Sequence, residues 1–195
     1  AKSDISDGFY HIDLDKYTAP NLAVILPHEQ DEPPLVAVPL SLPMGWVESP
    51  PYFCSATETI ADLANQRIHH HAKPHRLDTV ADTPPEETQA CVTDPSTPDL
   101  PTLPEPTGAV QAPSRRKLAV FDVYVDDFLA AAQGSTRDLN HIRRILMHTI
   151  DQVLTPLDPY QHPMHKEPIS VKKLKQGNAC WSTTKVLLRW LLDTV

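Results

Sequence analysis

The chain has 195 residues, 41% hydrophobic and 6% aromatic, with a net charge of -8, which suits one domain carrying a long insert. Its 21 prolines against 5 glycines exclude helix or sheet interior over part of the length. Its 3 cysteines exclude a disulfide scaffold, and no apolar run approaches the ~20 residues that span a bilayer, so an intracellular protein without a membrane partner is expected.

In chain order, Lys2–Ile5 reads as a short strand entering a turn at Ser6-Asp7-Gly8. Leu22–Pro27 and Leu35–Leu42 read as two strands joined by the polar stretch His28–Pro33. Ser49 followed by Pro50 marks a helix start, with Ser49 as the cap. Phe53, Ala56, Thr57, Ile60 and Ala64 recur at helical spacing and predict a helix over Pro51–Asn65.

Lys73–Ser114 reads as a Pro-rich, acidic, disordered insert: nine prolines lie from Pro74 to Pro113, and seven of the 25 acids lie from Asp78 to Glu105 without a Lys or Arg. The remaining acids nearly balance the 17 bases, and bases gather in the second half, at Arg115–Lys117, Arg143, Arg144, Lys166, Lys172, Lys173 and Lys175. The acidity therefore belongs to one segment and does not exclude a nucleic-acid partner. The insert is a surface loop or a ligand for a proline-recognising domain.

Leu118–Val125 and Phe128–Ala132 are apolar runs flanking Asp126-Asp127, which predicts a tight hairpin with two carboxylates at its tip. Ser135 or Thr136 caps a helix whose apolar face is Leu139, Ile142, Leu146, Ile150 and Val153, and Pro156 begins its end. Ile169–Leu174, a turn at Gln176-Gly177-Asn178 and Lys185–Leu192 read as a last hairpin. The expected fold is α+β, an antiparallel sheet with helices on one face. Its two parts are residues 1–72 and 115–195, separated by the insert at 73–114.

Three features carry chemistry. Two adjacent carboxylates in an apolar setting are costly unless a cation neutralises them, and oxygen ligands of this kind suit Mg²⁺; a solvated Asp-Asp turn is the open alternative. Asp4 at a strand end could complete a two-metal site or simply form the turn. Gly45, in Leu42-Pro43-Met44-Gly45-Trp46, permits an unusual backbone angle or close approach of a ligand. His69-His70-His71 with His75 lacks the spacing of a structural zinc site. Cys54, Cys91 and Cys180 are scattered thiols, and Asp122 sits within an apolar strand.

Taken together, Asp4 with Gly8-Phe9-Tyr10, the Leu42–Trp46 stretch with Ser49-Pro50, and Tyr124-Val125-Asp126-Asp127 resemble the polymerase palm of reverse transcriptases of LTR retrotransposons and retroviruses. The resemblance covers Lys2–Asn65 and Leu118 to near the end, and leaves the insert outside. It implies that Asp4, Asp126, Asp127 and the carbonyl of Ile5 hold two Mg²⁺ ions, or Mn²⁺ in their place, for nucleotidyl transfer from a dNTP to a primer 3′-hydroxyl on an RNA or DNA template. It further implies that Phe9 is the gate against a ribose 2′-hydroxyl, and that Asp7, Gly8, Tyr10, Met44, Gly45 and Tyr124 support the nucleotide site. Met44 stands where retroviral enzymes often carry glutamine.

Lys166 is the candidate proton donor to pyrophosphate. Leu187-Leu188-Arg189-Trp190 resembles the primer grip, with Arg189 where the family commonly has glycine. Fingers, thumb and RNase H regions are expected to lie in a longer polyprotein, in cytoplasmic retroelement particles, and the 195-residue chain is expected to show little activity alone. The competing expectations are a non-catalytic retroelement relic or domesticated palm-fold module that recruits a partner through its insert and, with less support, a Mg²⁺-dependent nuclease.

Overall fold

A computed structural model describes residues 1–29, 31–82, 118–155, 167–187 and 190–193. Strands β1 (Lys2–Asp4), β4 (Leu118–Tyr124) and β5 (Asp127–Gln133) form an antiparallel sheet in the order β1-β5-β4. Two short ribbons stand apart from it: β2 (Val24–Ile25) with β3 (Val36–Ala37), and β6 (Thr184–Leu187) with β7 (Trp190–Asp193). The helices are α1 (Ser49–Gln66), α2 (Asp78–Ala81), α3 (Thr136–Leu154) and α4 (Val171–Lys175). The fold is mixed helix and antiparallel sheet, and among the described residues no helix is long and apolar enough to cross a membrane.

Side-chain alternation along the strands sends Ser3, Phe121, Phe128 and Ala130 inward. Phe121, Phe128 and Ala130 meet Phe53 and Ile60 of α1 and Ile142, Leu146 and Ile150 of α3 in one core. Each fully buried side chain of this size stabilises the fold by ~1.5–3 kcal/mol. Gly8 is tied to this core by size: a Cβ there would lie 2.4 Å from the Phe53 ring. The central sheet has a covered edge, because Asn65 of α1 donates to the Phe121 carbonyl and accepts from the Phe121 amide, both at 2.8 Å. One amide side chain thus satisfies both outward-facing backbone groups of an edge-strand residue.

The helix expected over Pro51–Asn65 runs from Ser49 to Gln66. Ser49 is its first residue rather than its cap, and its hydroxyl donates to the Pro43 carbonyl at 2.7 Å. Ser135 caps α3 as the sequence suggests, in a reciprocal capping box with Asp138. The strands expected over Leu22–Pro27 and Leu35–Leu42 shrink to two residue pairs, with Val24, Ile25 and Val36 exposed.

Two expectations are corrected. Ile169–Leu174 is not a strand: Val171–Lys175 is helical, and only Ile169 makes a bridge, to Ile5. The Gly177 signal, read as a hairpin turn, closes this helix instead, with φ 78° and its amide bonded to the Leu174 carbonyl at 2.9 Å. Glycine serves both structures equally, and lysine suits the last turn of a helix better than a strand.

The second correction concerns Lys73–Asp82, expected in the disordered insert. This stretch packs on α3, with His75 5% and Ala81 0% exposed. Leu77 donates its amide to His75 Nδ1, leaving Nε2 to donate to Asp151 at 2.8 Å. Arg76 bridges Asp151 and Glu167, Arg144 meets Asp78, and the buried Arg143 meets Asp82 and the Ala81 carbonyl. Arg143 and Arg144 are therefore structural ties rather than parts of a basic surface. The rest of the insert, with Cys91, lies outside the described residues.

Asn65→Ala leaves both Phe121 backbone groups without their partner and is expected to cost about 2–3 kcal/mol in urea unfolding. Burial pushes the Asp151 carboxyl up, but His75 and Arg76 outweigh it and hold its pKa at about 2, below the usual 3.8. A depressed carboxylate contributes stability above its unfolded pKa and loses it as pH falls through the folded value. The urea midpoint is therefore expected to drop between about pH 5 and pH 2, and Asp151→Asn to flatten that drop.

Candidate functional site

The register of β1 against β5 sets Ser3 opposite Phe128 and Asp4 opposite Asp127. Since Ser3 and Phe128 face the core, Asp4 and Asp127 point to the opposite, open face of the sheet, as does Tyr124 across from Asp127. Asp126 occupies the two-residue turn with Val125, and its carbonyl accepts from the Ile5 amide at 3.1 Å. Val125 has φ 58°, a left-handed conformation that a β-branched residue adopts only when its surroundings impose it.

The other edge of β1 is held by residues 168–170. Ser6 donates to the Pro168 carbonyl at 2.8 Å and Ser170 to the Asp4 carbonyl at 2.9 Å. This pairing starts α4 beside β1 and brings Lys173 onto Asp4 Oδ2. A second lysine, Lys2, lies 2.8 Å from Asp127 Oδ2. Asp4 is 5% exposed. Burial raises its pKa first of all, Lys173 opposes the rise, and Asp127 and Asp126 add to it. The ion pair with Asp4 raises the Lys173 pKa in turn.

Asp127 Oδ1 is buried without a hydrogen-bond partner among the described residues. A buried carboxylate oxygen in that state is costly and able to accept a donor or a cation. Among the described residues, however, no three His, Cys, Asp or Glu side chains converge closely enough to form a ready metal cage. Asp4 and Asp127 are brought together, whereas Asp126 acts on Asp4 and Lys173 through its charge.

The remaining sequence-derived residues fall beyond the end of β1. Asp7 takes a left-handed turn, φ 54°, into a 3-10 helix over Gly8–His11. Phe9 packs on Phe53, ring centroids 4.9 Å apart, and Tyr10 is half exposed. Backbone bonds from Leu14 to Leu40 and from Leu42 to Ile12, both 2.9 Å, tie the Leu42–Trp46 stretch to the chain that follows Tyr10. Met44 is exposed, and Gly45 has φ 92° with open space at its Cβ position, so backbone angle rather than crowding calls for glycine there.

Asp122 is exposed and accepts from the Val123 amide at 2.8 Å. His75 spends both ring nitrogens on protein partners, which argues against a metal role. Lys166 and Arg189 lie outside the described residues. Cys54 and Cys180 are half-buried thiols.

Sequence reasoning missed Lys2 and Lys173 as site residues. Lys2 was legible, because it stands two residues before Asp4 on the same strand face. Lys173 was hidden by reading its segment as a strand. No protein-family model matches this chain, and no curated protein matches it as a relative.

Lys173→Met removes the group that opposes the rise in the Asp4 pKa. The Asp4 carboxyl is expected to titrate at higher pH in the variant, followed by carboxyl ¹³C shifts, and an unchanged or lower value would refute the pairing.

Proposed function

We propose that the open face around Asp4, Asp126 and Asp127 is the nucleotidyl-transfer site of an RNA-directed DNA polymerase palm. The observation that carries this reading is the β1–β5 register, which joins carboxylates 123 residues apart in sequence on one sheet face beside a strained turn. Two of the segments read from the sequence as separate motifs, at Asp4 and at Asp126-Asp127, meet there, and a mixed α+β fold is compatible in general terms with a palm. Carboxylate oxygens suit divalent cations, and two aspartates meet here, Asp127 with an unpartnered buried oxygen and Asp4 with a pKa raised first by burial and then by its acidic neighbours.

Bound Mg²⁺ or Mn²⁺ would supply Lewis acidity to a primer 3′-hydroxyl and charge neutralisation to a triphosphate. On this reading Asp4, Asp126 and Asp127 hold the ions. Lys2 and Lys173 balance the carboxylates until then, and the Lys173 ammonium is a proton source beside the departing pyrophosphate. Phe9, braced on Phe53, is the rigid wall against the sugar, with Asp7, Gly8 and Tyr10 behind it. Gly45 and Met44 border the template side, and Tyr124 lies on the carboxylate face.

A second reading has one observation in its favour. Lys2 and Lys173 already neutralise Asp127 and Asp4 without a metal, as a non-catalytic palm-fold module would permit. Its partner-recruiting insert lies largely outside the described residues.

Titration of the full chain with Mn²⁺, followed by electron paramagnetic resonance, separates the two. The polymerase reading expects binding that weakens at least about tenfold, a difference of ~1.4 kcal/mol, in Asp126→Asn/Asp127→Asn. Absence of binding, or binding indifferent to those substitutions, would overturn it and favour the module.

A further inference from the structure

The helix side of the sheet, away from the carboxylates, carries a second constellation. After α1 the chain turns and crosses α3 as Arg67-Ile68-His69-His70-His71-Ala72-Lys73. Arg67, His70, His71 and Lys73 from this stretch, with His148 of α3, line a cavity of about 320 Å³. Its floor is Ile145 and Thr149, both buried. The loop is fixed on α3 by the His148 Nε2 contact with the Lys73 carbonyl, 3.0 Å, and by Arg67 donating to the neutral Gln152 amide.

No acid lines this cavity, and none of its five bases is ion-paired among the described residues. By contrast, Lys2, Arg76, Arg143, Arg144 and Lys173 each meet a carboxylate. The acid one turn along α3 from His148 is Asp151, and it is engaged by His75 and Arg76. The carbonyl end of α1 offers only about half a negative charge, against the two full charges of Arg67 and Lys73. Among the described residues the cavity therefore keeps a positive excess, in a protein of net charge -8. It combines a planar guanidinium fork, an ammonium and imidazole N–H groups, the donor set that recognises phosphoryl oxygens. Its volume is at the small end of the ~300–1,000 Å³ found for ligand sites, and accommodates one phosphoryl group with part of what it esterifies.

We propose that this cavity is a phosphate-ester binding site, separate from the carboxylate face and independent of divalent metal. A free nucleotide and a nucleic-acid backbone present the same chemistry. The test is titration of the 195-residue chain with inorganic phosphate, by calorimetry and by the ¹⁵N shifts of His148 and Thr149. Arg67→Ala/Lys73→Ala is expected to weaken binding about tenfold, the effect of losing two charge-assisted contacts. Lys16→Ala, an exposed base elsewhere, is expected to bind as the parent does. Should Arg67→Ala unfold the chain, His70→Ala/Lys73→Ala on exposed side chains replaces it.

Absence of phosphate binding, equal affinity in the pocket variants, or an equal loss in Lys16→Ala would overturn the proposal. Competition then assigns the source: a nucleoside monophosphate that displaces phosphate more strongly than an oligonucleotide marks a small ligand, and the reverse order marks a strand. Either order supports the site. Asp126→Asn/Asp127→Asn leaves phosphate binding intact, so failure of this proposal and failure of the polymerase reading are distinguishable.

Discussion

The pairing of β1 with β5 is the constraint on which the rest depends. Strand side chains alternate, so placing Ser3 and Phe128 against the core obliges Asp4 and Asp127 to share the opposite face. A slip of β1 by one residue against β5 would turn Asp4 toward the core and Ser3 away from it. Burying unpaired charge costs far more than any single strand contact returns, so the apolar pattern of β5 holds the register. The same strand then offers its second edge to Ser170, and α4 follows from there. Carboxylates and lysines thus meet because a three-residue strand has a neighbour on each side.

The arrangement is costly where it is most specific. Val125 sits at a positive φ, Asp127 Oδ1 lacks a partner, and the Asp4 carboxyl is raised by burial and by its acidic neighbours. Lys2 and Lys173 offset part of this charge, and the buried core beneath the sheet outweighs the remainder. A hairpin needed only as a connection would carry Asn-Gly or Asp-Gly in such a turn. Backbone strain of this kind, at Val125 beside two aspartates, gathers at functional sites, and it supports the catalytic proposal more than the neutral-module one.

Much of the scaffold was legible in the sequence because its signals are local. Periodicity marked α1 and α3, Ser135 with Asp138 marked a cap, and apolar runs around Asp126-Asp127 marked the hairpin. Legibility failed where one signal serves two structures. Gly177 reads equally as a hairpin turn and as the residue after a helix, and the strand reading hid Lys173 from the site. The boundary at Lys73 failed for another reason. Proline and acid content describe a segment on average, whereas His75, Ala81 and Asp78 are ordered by partners on α3 and α4 that lie far along the chain. The unpaired bases at the end of α1 were visible only as a histidine run without metal spacing. Their meaning comes from His148 and from the absence of lining acids, which only the folded chain supplies.

The sheet separates two surfaces of opposite electrostatic character. Acids gather on its open face with two lysines drawn in against them, while the cavity on the helix side is lined by bases that, among the described residues, no acid pairs. Net charge cannot reveal this, because the segment from Asp78 to Glu105 supplies much of the excess. At physiological ionic strength charges interact over ~8 Å, less than the thickness of a sheet with a packed helix layer. A cation held by the aspartates would therefore leave the basic cavity almost unperturbed, and an anion in that cavity would leave the aspartates so. Two ligands of opposite charge can be carried by this fold without competing, which a single mixed cluster of the same residues would not permit.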